Sequence, residues 1–205
     1  MSFFQNTCKP KGLAGNLMVN MMNIGHSSMA EWGMEHIKIQ DTDISLDIGC
    51  GGGATLKRMG EKITTGHLTG VDYSPVSVKT SLKTNRQDVE SGKMKVLEGS
   101  VEALPFADDG FDKIITVESF YFWPDPQENL KEVRRVLKEG GTFLLVADTY
   151  NKDGLDPKTL ENICRFHLFT PTAEEFRKLF EKAGFTDIQI HVKEGTDWIC
   201  VEGKK

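Results

Sequence analysis

A glycine-rich turn after a short apolar segment is the part of the sequence with the clearest chemical use. Ile44–Ile48 (ISLDI) predicts a buried strand, and the string Asp47-Ile48-Gly49-Cys50-Gly51-Gly52-Gly53 runs past its end. Glycine lacks a Cβ, so the backbone of such a turn can come close to a ligand. Gly49, Gly51 and Ala54 also satisfy a loose G-x-G-x-x-A pattern, which in dinucleotide-binding folds holds a pyrophosphate at a helix N-terminus.

Asp47 argues against a pyrophosphate at this turn. Its carboxylate would lie near the phosphates, where a second anion is unfavourable. The acid is better suited to orienting the turn near a ligand that carries an ammonium and a sulfonium group. A nicotinamide-dependent oxidoreductase therefore stays open as an alternative, but the acid disfavours it.

A second acid follows the next predicted strand. Asp72 comes directly after Leu68–Val71, where a carboxylate can accept hydrogen bonds from both hydroxyls of a ribose. A helix cap is its alternative role, but Ser74 with Pro75 already forms a good cap and first-turn pair. Tyr73 either lies against an adenine or is a core aromatic. Dinucleotide enzymes use an acid here too, so this motif does not separate the two classes.

These residues need a scaffold in which strands and helices alternate. The sequence predicts strands at Ile44–Ile48, Leu68–Val71, Lys95–Leu97, Ile114–Val117, Thr142–Ala147, Thr186–Val192 and Asp197–Val201. It predicts helices at Ala54–Met59, from Pro75 to about Val89, and at Pro126–Leu137 with Glu139-Gly140-Gly141 as its stop. A last helix is predicted at about Thr172–Ala183, with Thr170-Pro171 at its entry and Gly184 at its exit. Such alternation indicates an α/β, doubly wound, mostly parallel seven-stranded sheet, with the last two strands as an antiparallel hairpin. Ligands bind beyond the carboxyl ends of such strands.

Composition limits the function further. The 205 residues carry a net charge of −5, which is a poor match to a protein that grips a nucleic-acid backbone. The four cysteines are scattered and form no C-x-x-C pair, so we expect no metal site and a reducing, cytoplasmic location. The N-terminus lacks the apolar core of a signal peptide, and no apolar run is long enough to span a bilayer. We expect neither nucleic acid nor membrane as a partner.

The sequence resembles the class I S-adenosylmethionine-dependent methyltransferases, and within them the group related to the ubiquinone and menaquinone methyltransferases. Four blocks carry the resemblance between Ile44 and Ala147: LDIGCGGG, GVDYSP, LPFADDGFDKIITVES and LKEVRRVLKEGGTFLL. The resemblance implies a Rossmann-like fold, S-adenosyl-L-methionine as cofactor and methyl transfer to a small molecule. It implies cofactor contacts at Asp47, Gly49, Cys50, Gly51, Asp72, Tyr73, Ser100, Val101, Val117 and Glu118.

Two positions depart from the family pattern. Ser100 stands where the family often has an Asp that reads the adenine edge, although a hydroxyl can still accept from the adenine amine. Many relatives carry a histidine near Phe122, whereas this chain has Phe120-Tyr121-Phe122-Trp123, either a substrate wall or core. In-line methyl transfer mainly needs alignment and exclusion of water. Glu118 is the candidate general base if the acceptor arrives protonated, with cofactor contact or helix-entry acid as its alternatives.

The N-terminal segment is rich in methionine. Leu17, Met21, Met22 and Ile24 suggest one amphipathic helix, and Met29, Trp32, Met34 and Ile37 a second. Methionines at this spacing either pack in a core or line an adaptable pocket. We therefore divide the chain into residues 1–38, a helical lid or extension, and residues 39–205, the S-adenosylmethionine-binding methyltransferase domain. His26 is a weaker base candidate than Glu118.

Overall fold

The computed structural model describes residues 27–205, which form a seven-stranded sheet with helices on both faces. The strands are β1 (Ile44–Ile48), β2 (His67–Asp72), β3 (Met94–Glu98), β4 (Phe111–Val117), β5 (Leu137–Ala147), β6 (Thr186–Val192) and β7 (Ile199–Lys204). Their order across the sheet is β3-β2-β1-β4-β5-β7-β6. The first five strands are parallel, and β7 is antiparallel to β5 and β6. The predicted sheet and the antiparallel pairing of the last two strands are confirmed.

Seven helices cover the described sheet. They are α1 (Ser27–Met34), α2 (Ala54–Lys62), α3 (Pro75–Thr84), α4 (Arg86–Glu90), α5 (Pro126–Val136), α6 (Pro157–Phe166) and α7 (Ala173–Ala183), with a short 3₁₀ turn at Phe120–Phe122. Side chains of α5 and α7 pack on one face of the sheet, and those of α1 and α2 on the other. Along β5, Phe143 and Leu145 face the first of these cores while Leu144 and Val146 face the second. A strand buried on both faces explains the unbroken apolar run in its sequence.

Local signals in the sequence set several helix ends. Ser74 caps α3 by accepting from the backbone N–H of Ser77, and Pro75 is the first helical residue. Thr172 and Glu175 form a reciprocal capping box at the start of α7. Gly184 ends α7 in the left-handed conformation, as its place in the sequence predicts.

The helix predicted from Pro75 to Val89 is two helices in the structure. The chain breaks at Asn85, which ends α3 and begins α4. Its side-chain amide donates to the carbonyl oxygens of Gly53 at 3.0 Å and Ser81 at 3.1 Å. An asparagine that binds backbone carbonyls competes with regular helix, and here it ties the break to the glycine turn.

The end of α5 was also predicted incorrectly. The helix stops at Val136, and β5 begins at Leu137 instead of Thr142, so Glu139-Gly140-Gly141 lies inside the strand. Leu137 is fully buried and pairs with Phe111 ahead of a shift in register. Burial of this leucine against β4 therefore decides where the helix ends.

Two further differences lie toward the C-terminus. The segment after β5 contains α6, which the sequence analysis left unassigned. β7 runs from Ile199 to Lys204, later than the predicted Asp197–Val201. The cap of α6 was present in the sequence, because Asp156 accepts from the backbone N–H groups of Lys158 and Thr159 and Pro157 follows it.

The second predicted N-terminal helix is present as α1, although Ile37 lies past its end. Met29 and Met34 are buried in the core beneath β5, so the core interpretation is correct for these two methionines. The predicted helix around Leu17 to Ile24 and the candidate base His26 lie outside the described residues. Within residues 27–205, no helix combines the length and apolar character needed to cross a membrane.

Candidate functional site

One cavity of about 840 Å³ lies at the carboxyl ends of β1, β2, β3 and β4. This first cavity lies where β1 has β2 on one side and β4 on the other, the point at which strand order reverses. All ten cofactor-binding residues predicted from the sequence line it: Asp47, Gly49, Cys50, Gly51, Asp72, Tyr73, Ser100, Val101, Val117 and Glu118. The fold thus brings together four segments that are far apart in the chain.

The glycine turn is held by hydrogen bonds to β2. The backbone N–H groups of Gly49 and Cys50 both donate to the carbonyl oxygen of Val71, at 2.8 and 3.0 Å. Gly49 has φ +72°, and a Cβ there would collide with Ser119, which follows β4. At Gly51, by contrast, a Cβ would meet no atom of the described residues within 4 Å. Glycine at position 49 is therefore required for packing against Ser119, a reason the sequence did not reveal.

Asp72 connects the end of β2 to both neighbouring turns. One carboxylate oxygen accepts from Gly51 N and the other from Ser74 N, each at 2.9 Å. Burial raises the pKa of Asp72, and these two hydrogen bonds oppose that rise. A carboxylate has about four acceptor positions, so both oxygens retain capacity for a ligand diol.

Asp47 is a buried acid without a full set of partners. It is 1% exposed, and its Oδ2 atom makes no hydrogen bond to any residue in the part of the chain described. Burial, with a smaller contribution from Asp72, raises its pKa from 3.8 to about 8. A cationic group in the first cavity would supply the missing partner and favour the charged carboxylate.

The adenine side of the predicted site contains one residue that the sequence analysis missed. Tyr73 is 40% exposed and lines the cavity, so its alternative assignment as a core aromatic is wrong. The Ser100 hydroxyl donates to the carboxylate of Glu102 at 3.0 Å and accepts from its backbone N–H at 3.2 Å. Glu102 therefore places a carboxylate at this wall, two residues after the position where the family often has an Asp.

Glu118 follows β4 with its backbone in the left-handed region, at φ +57°. Its Oε1 atom accepts from the backbone N–H of Asp148 at 2.5 Å and from the Tyr121 hydroxyl at 3.1 Å. Burial, followed by the nearby charge of Asp148, raises the pKa of Glu118 well above its usual value. Non-glycine residues in this conformation are strained and concentrate at functional sites.

The aromatic run after β4 divides between core and cavity. Phe120 is 1% exposed and packs against Trp123, Phe169 and Phe176, with ring centroids 5.1 to 5.8 Å apart. Tyr121, Phe122 and Trp123 line the first cavity. The core interpretation is correct for Phe120, and a substrate wall stays a prediction for the three residues that line the cavity.

Three further cavity residues were missed because α6 was not predicted. Phe166 ends this helix, and His167 and Phe169 follow it on the same wall. Arg58 of α2 and Ala30 of α1 also line the cavity. The Asp156-Pro157 cap followed by Leu160, Ile163 and Phe166 at helical spacing was the signal that could have located this wall.

Comparison with known proteins agrees with the fold. The family model described as "Methyltransferase domain" matches residues 46–145, which run from β1 into β5. One relative is the chloroplastic 2-methyl-6-phytyl-1,4-hydroquinone methyltransferase 1 of Oryza sativa subsp. japonica. It is 29% identical over 174 residues, which cover 83% of this chain and 50% of that protein. The uncharacterized methyltransferase YdaC of Bacillus subtilis is 25% identical over 84% of this chain and 88% of its own length. This chain spans about half the length of the hydroquinone methyltransferases that it matches.

A solved structure shares the fold. Geranyl diphosphate C-methyltransferase from Streptomyces coelicolor, solved with Mg²⁺, geranyl-S-thiolodiphosphate and S-adenosyl-L-homocysteine, has a TM-score of 0.73 and 16% identity, over 87% of this chain and 75% of that one. The nicotinamide alternative finds no support in these comparisons. Sequence motifs, sheet order and relatives agree: residues 46–145 are a methyltransferase domain, and the described residues have the fold of S-adenosylmethionine-dependent methyltransferases.

Proposed function

We propose that this protein binds S-adenosyl-L-methionine in the first cavity and transfers its methyl group to a small-molecule acceptor by in-line displacement. The observation that carries the proposal is the placement of Asp47 and Asp72 on either side of one glycine turn. Bound S-adenosylmethionine would supply an electrophilic methyl group on a sulfonium. The name of the rice relative, a hydroquinone methyltransferase, supports a small-molecule acceptor.

The residues have distinct parts in this proposal. Asp72 accepts from the ribose hydroxyls while Gly51 and Ser74 hold its carboxylate in place. Asp47 offers an unpaired buried oxygen to the ammonium end of the cofactor. The aromatic wall of Phe122, Trp123 and Phe169 shields the reacting centre from water and positions the acceptor.

Calorimetric titration with S-adenosylhomocysteine tests cofactor binding. We expect wild-type protein to bind and Asp72→Ala to bind at least about tenfold more weakly, because hydrogen bonds to a charged group are lost. Asp88→Ala is the matched control, since Asp88 pairs with Lys93 and does not line the cavity. Failure of the wild-type protein to bind, or equal binding by the Asp72 variant, would refute the proposal.

A cofactor-binding protein without transferase activity is the second candidate. A [4+2]-cyclase, SpnF, has the same fold at a TM-score of 0.72 and 17% identity, so this fold is not confined to proteins named as methyltransferases. Labelled-methyl transfer to a panel of phenols, thiols, amines and carbon acids separates the two. Labelled product supports transfer; binding without product from the whole panel favours the second candidate.

We also propose that the segment before α1 closes over the first cavity, and that the protein acts in the cytoplasm. Ala30 and Arg58 line the cavity, and Arg58 donates a hydrogen bond to Ser27, so the chain leaves the described residues close to the cavity. Removal of residues 1–26 is the sharp test, because α1 itself is part of the core. If the segment is a lid, the truncated protein should lose turnover and retain part of its cofactor binding. Unchanged turnover would contradict the lid.

A further inference from the structure

The hydroxyl group of Tyr121 lies among four hydrogen-bonding partners. Three oxygens are within donor range: Asp148 Oδ1 at 2.9 Å, Glu118 Oε1 at 3.1 Å and the carbonyl of Thr149 at 3.2 Å. The hydroxyl also accepts from the backbone N–H of Thr149 at 3.0 Å. A phenol carries only one proton, so it cannot satisfy both carboxylates at once.

The two carboxyl groups must therefore be considered together. If both were ionised, one of them would face the Tyr121 oxygen without a proton between them. Asp148 raises the pKa of Glu118 both by its charge and by a side-chain hydrogen bond, in addition to burial. Close carboxyl groups of this kind share a proton that belongs to the pair. Burial and the two acids also raise the pKa of Tyr121 well above 10, so its hydroxyl stays protonated at neutral pH and can both donate and accept.

The cluster of Glu118, Tyr121 and Asp148 contacts two cavities. Glu118 and Tyr121 line the first cavity. Asp148 is exposed and lines a second cavity of about 420 Å³, together with Thr149, Thr159 and Asp197. Thr149 Oγ1 is buried without a partner among the described residues, and a cavity with such polar lining holds water. Hydrogen bonds through Tyr121 thus connect the first cavity with the second.

We propose that Glu118, Tyr121 and Asp148 form a proton relay from the first cavity to the second, and that the methyl acceptor brings a proton on its nucleophilic atom. This inference rests on the proposed methyl transfer. The acceptor atom forms a bond to the methyl carbon while the carbon–sulfur bond breaks and its electron pair stays on sulfur. Glu118 first gives the shared proton to Tyr121, Tyr121 gives its own proton to Asp148, and Asp148 releases one to water. The ionised Glu118 then takes the acceptor's proton, which restores the shared proton of the pair.

Other ionisable side chains line the same cavity, and their titration must be separated from that of the relay. The first cavity is also lined by the acids Asp47, Asp72 and Glu102, the basic groups Arg58 and His167, and by Cys50 and Tyr73. In the second cavity, Asp197 is paired with Lys152 at 2.7 Å. Glu118, Tyr121 and Asp148 hydrogen-bond to one another, so variants of these three residues isolate the relay.

The first test follows the protons without any acceptor. Protein labelled with ¹³C at glutamate carboxyl carbons is titrated by NMR, and the Glu118 signal is the one that Glu118→Gln removes. We expect it to titrate well above the other glutamates, and Asp148→Asn to lower its midpoint by about one pH unit or more because the shared proton is lost. Tyr121→Phe should also shift it, whereas Glu90→Gln, an exposed control on α4, should not. A Glu118 signal that titrates with the bulk glutamates, or that ignores Asp148→Asn, overturns the relay.

The second test separates the relay from the proposed function. Calorimetry in phosphate and in Tris counts the protons released when S-adenosylmethionine or S-adenosylhomocysteine binds at pH 7. The sulfonium charge should expel part of the shared proton, so S-adenosylmethionine should release on the order of 0.3 proton more than S-adenosylhomocysteine does. Glu118→Gln should abolish this difference. Equal release by wild type and Glu118→Gln contradicts the relay while binding still supports the proposed function. Absence of binding contradicts the proposed function. The NMR titration then tests, without any ligand, whether Glu118 and Asp148 share a proton.

Discussion

Neutralising Asp47 should stabilise the ligand-free protein at high pH. Its carboxyl has a pKa near 3.8 in the unfolded chain and about 8 in the folded protein. The unfolded chain therefore releases this proton at lower pH than the folded protein does. Stability falls as pH rises from about 4, and the loss is complete above about 8. Asp47→Asn removes this loss because an amide does not ionise.

The size of the effect follows from the same pKa values. The rise from 3.8 to about 8, at about 1.4 kcal/mol per pKa unit, sets an upper limit of roughly 6 kcal/mol. The effective cost of a buried charge is smaller than this limit after the protein relaxes around it, and the new amide group lacks a protein partner. We therefore expect the variant to gain about 2–3 kcal/mol in free energy of unfolding at pH 8.5 and almost nothing at pH 4.

Urea unfolding at both pH values, followed by tryptophan fluorescence, measures this difference. The matched control is Asp43→Asn, one residue before β1, because Asp43 is also buried but accepts from Gln40 N at 2.8 Å. That variant should lose about 1–2 kcal/mol at pH 8.5. An Asp47 variant that is no more stable than wild type at pH 8.5 would show that the buried carboxylate is not destabilising and would remove the argument for a cationic ligand beside it.

Three further predictions concern single contacts. Gly49→Ala should abolish S-adenosylhomocysteine binding measured by calorimetry and cost about 2–4 kcal/mol by thermal unfolding, because its Cβ would meet Ser119 at a positive φ; a variant that binds normally would contradict the packing argument. Thr172→Ala should cost about 1 kcal/mol in urea, since α7 loses its capping box with Glu175, and should leave cofactor affinity unchanged. Arg135→Leu should cost about 2–3 kcal/mol in urea, because its guanidinium binds two carbonyl oxygens and two carboxylates; a cost below about 0.5 kcal/mol would mean that this network contributes little.

The sequence alone determined the elements whose signals are local. Alternating strand and helix patterns predicted the parallel sheet, and Ser74-Pro75 and Gly184 marked helix ends that the structure keeps. The glycine turn and Asp72 pointed to the carboxyl edge of the sheet, because each follows directly on an apolar strand. Residues that follow parallel strands meet at one edge, so short-range patterns were enough to predict their meeting.

Tertiary structure decided whatever depends on contacts between distant segments. α5 ends at Val136 because Leu137 is buried beside β4, and the helix after Pro75 breaks where Asn85 reaches the glycine turn. The link between Glu118 and Asp148 joins residues 30 positions apart across two strand ends. Burial also gives Asp47 its raised pKa, since the same aspartate in water would ionise normally. Local patterns in a chain fix its elements, but desolvation and long-range hydrogen bonds exist only once those elements have packed.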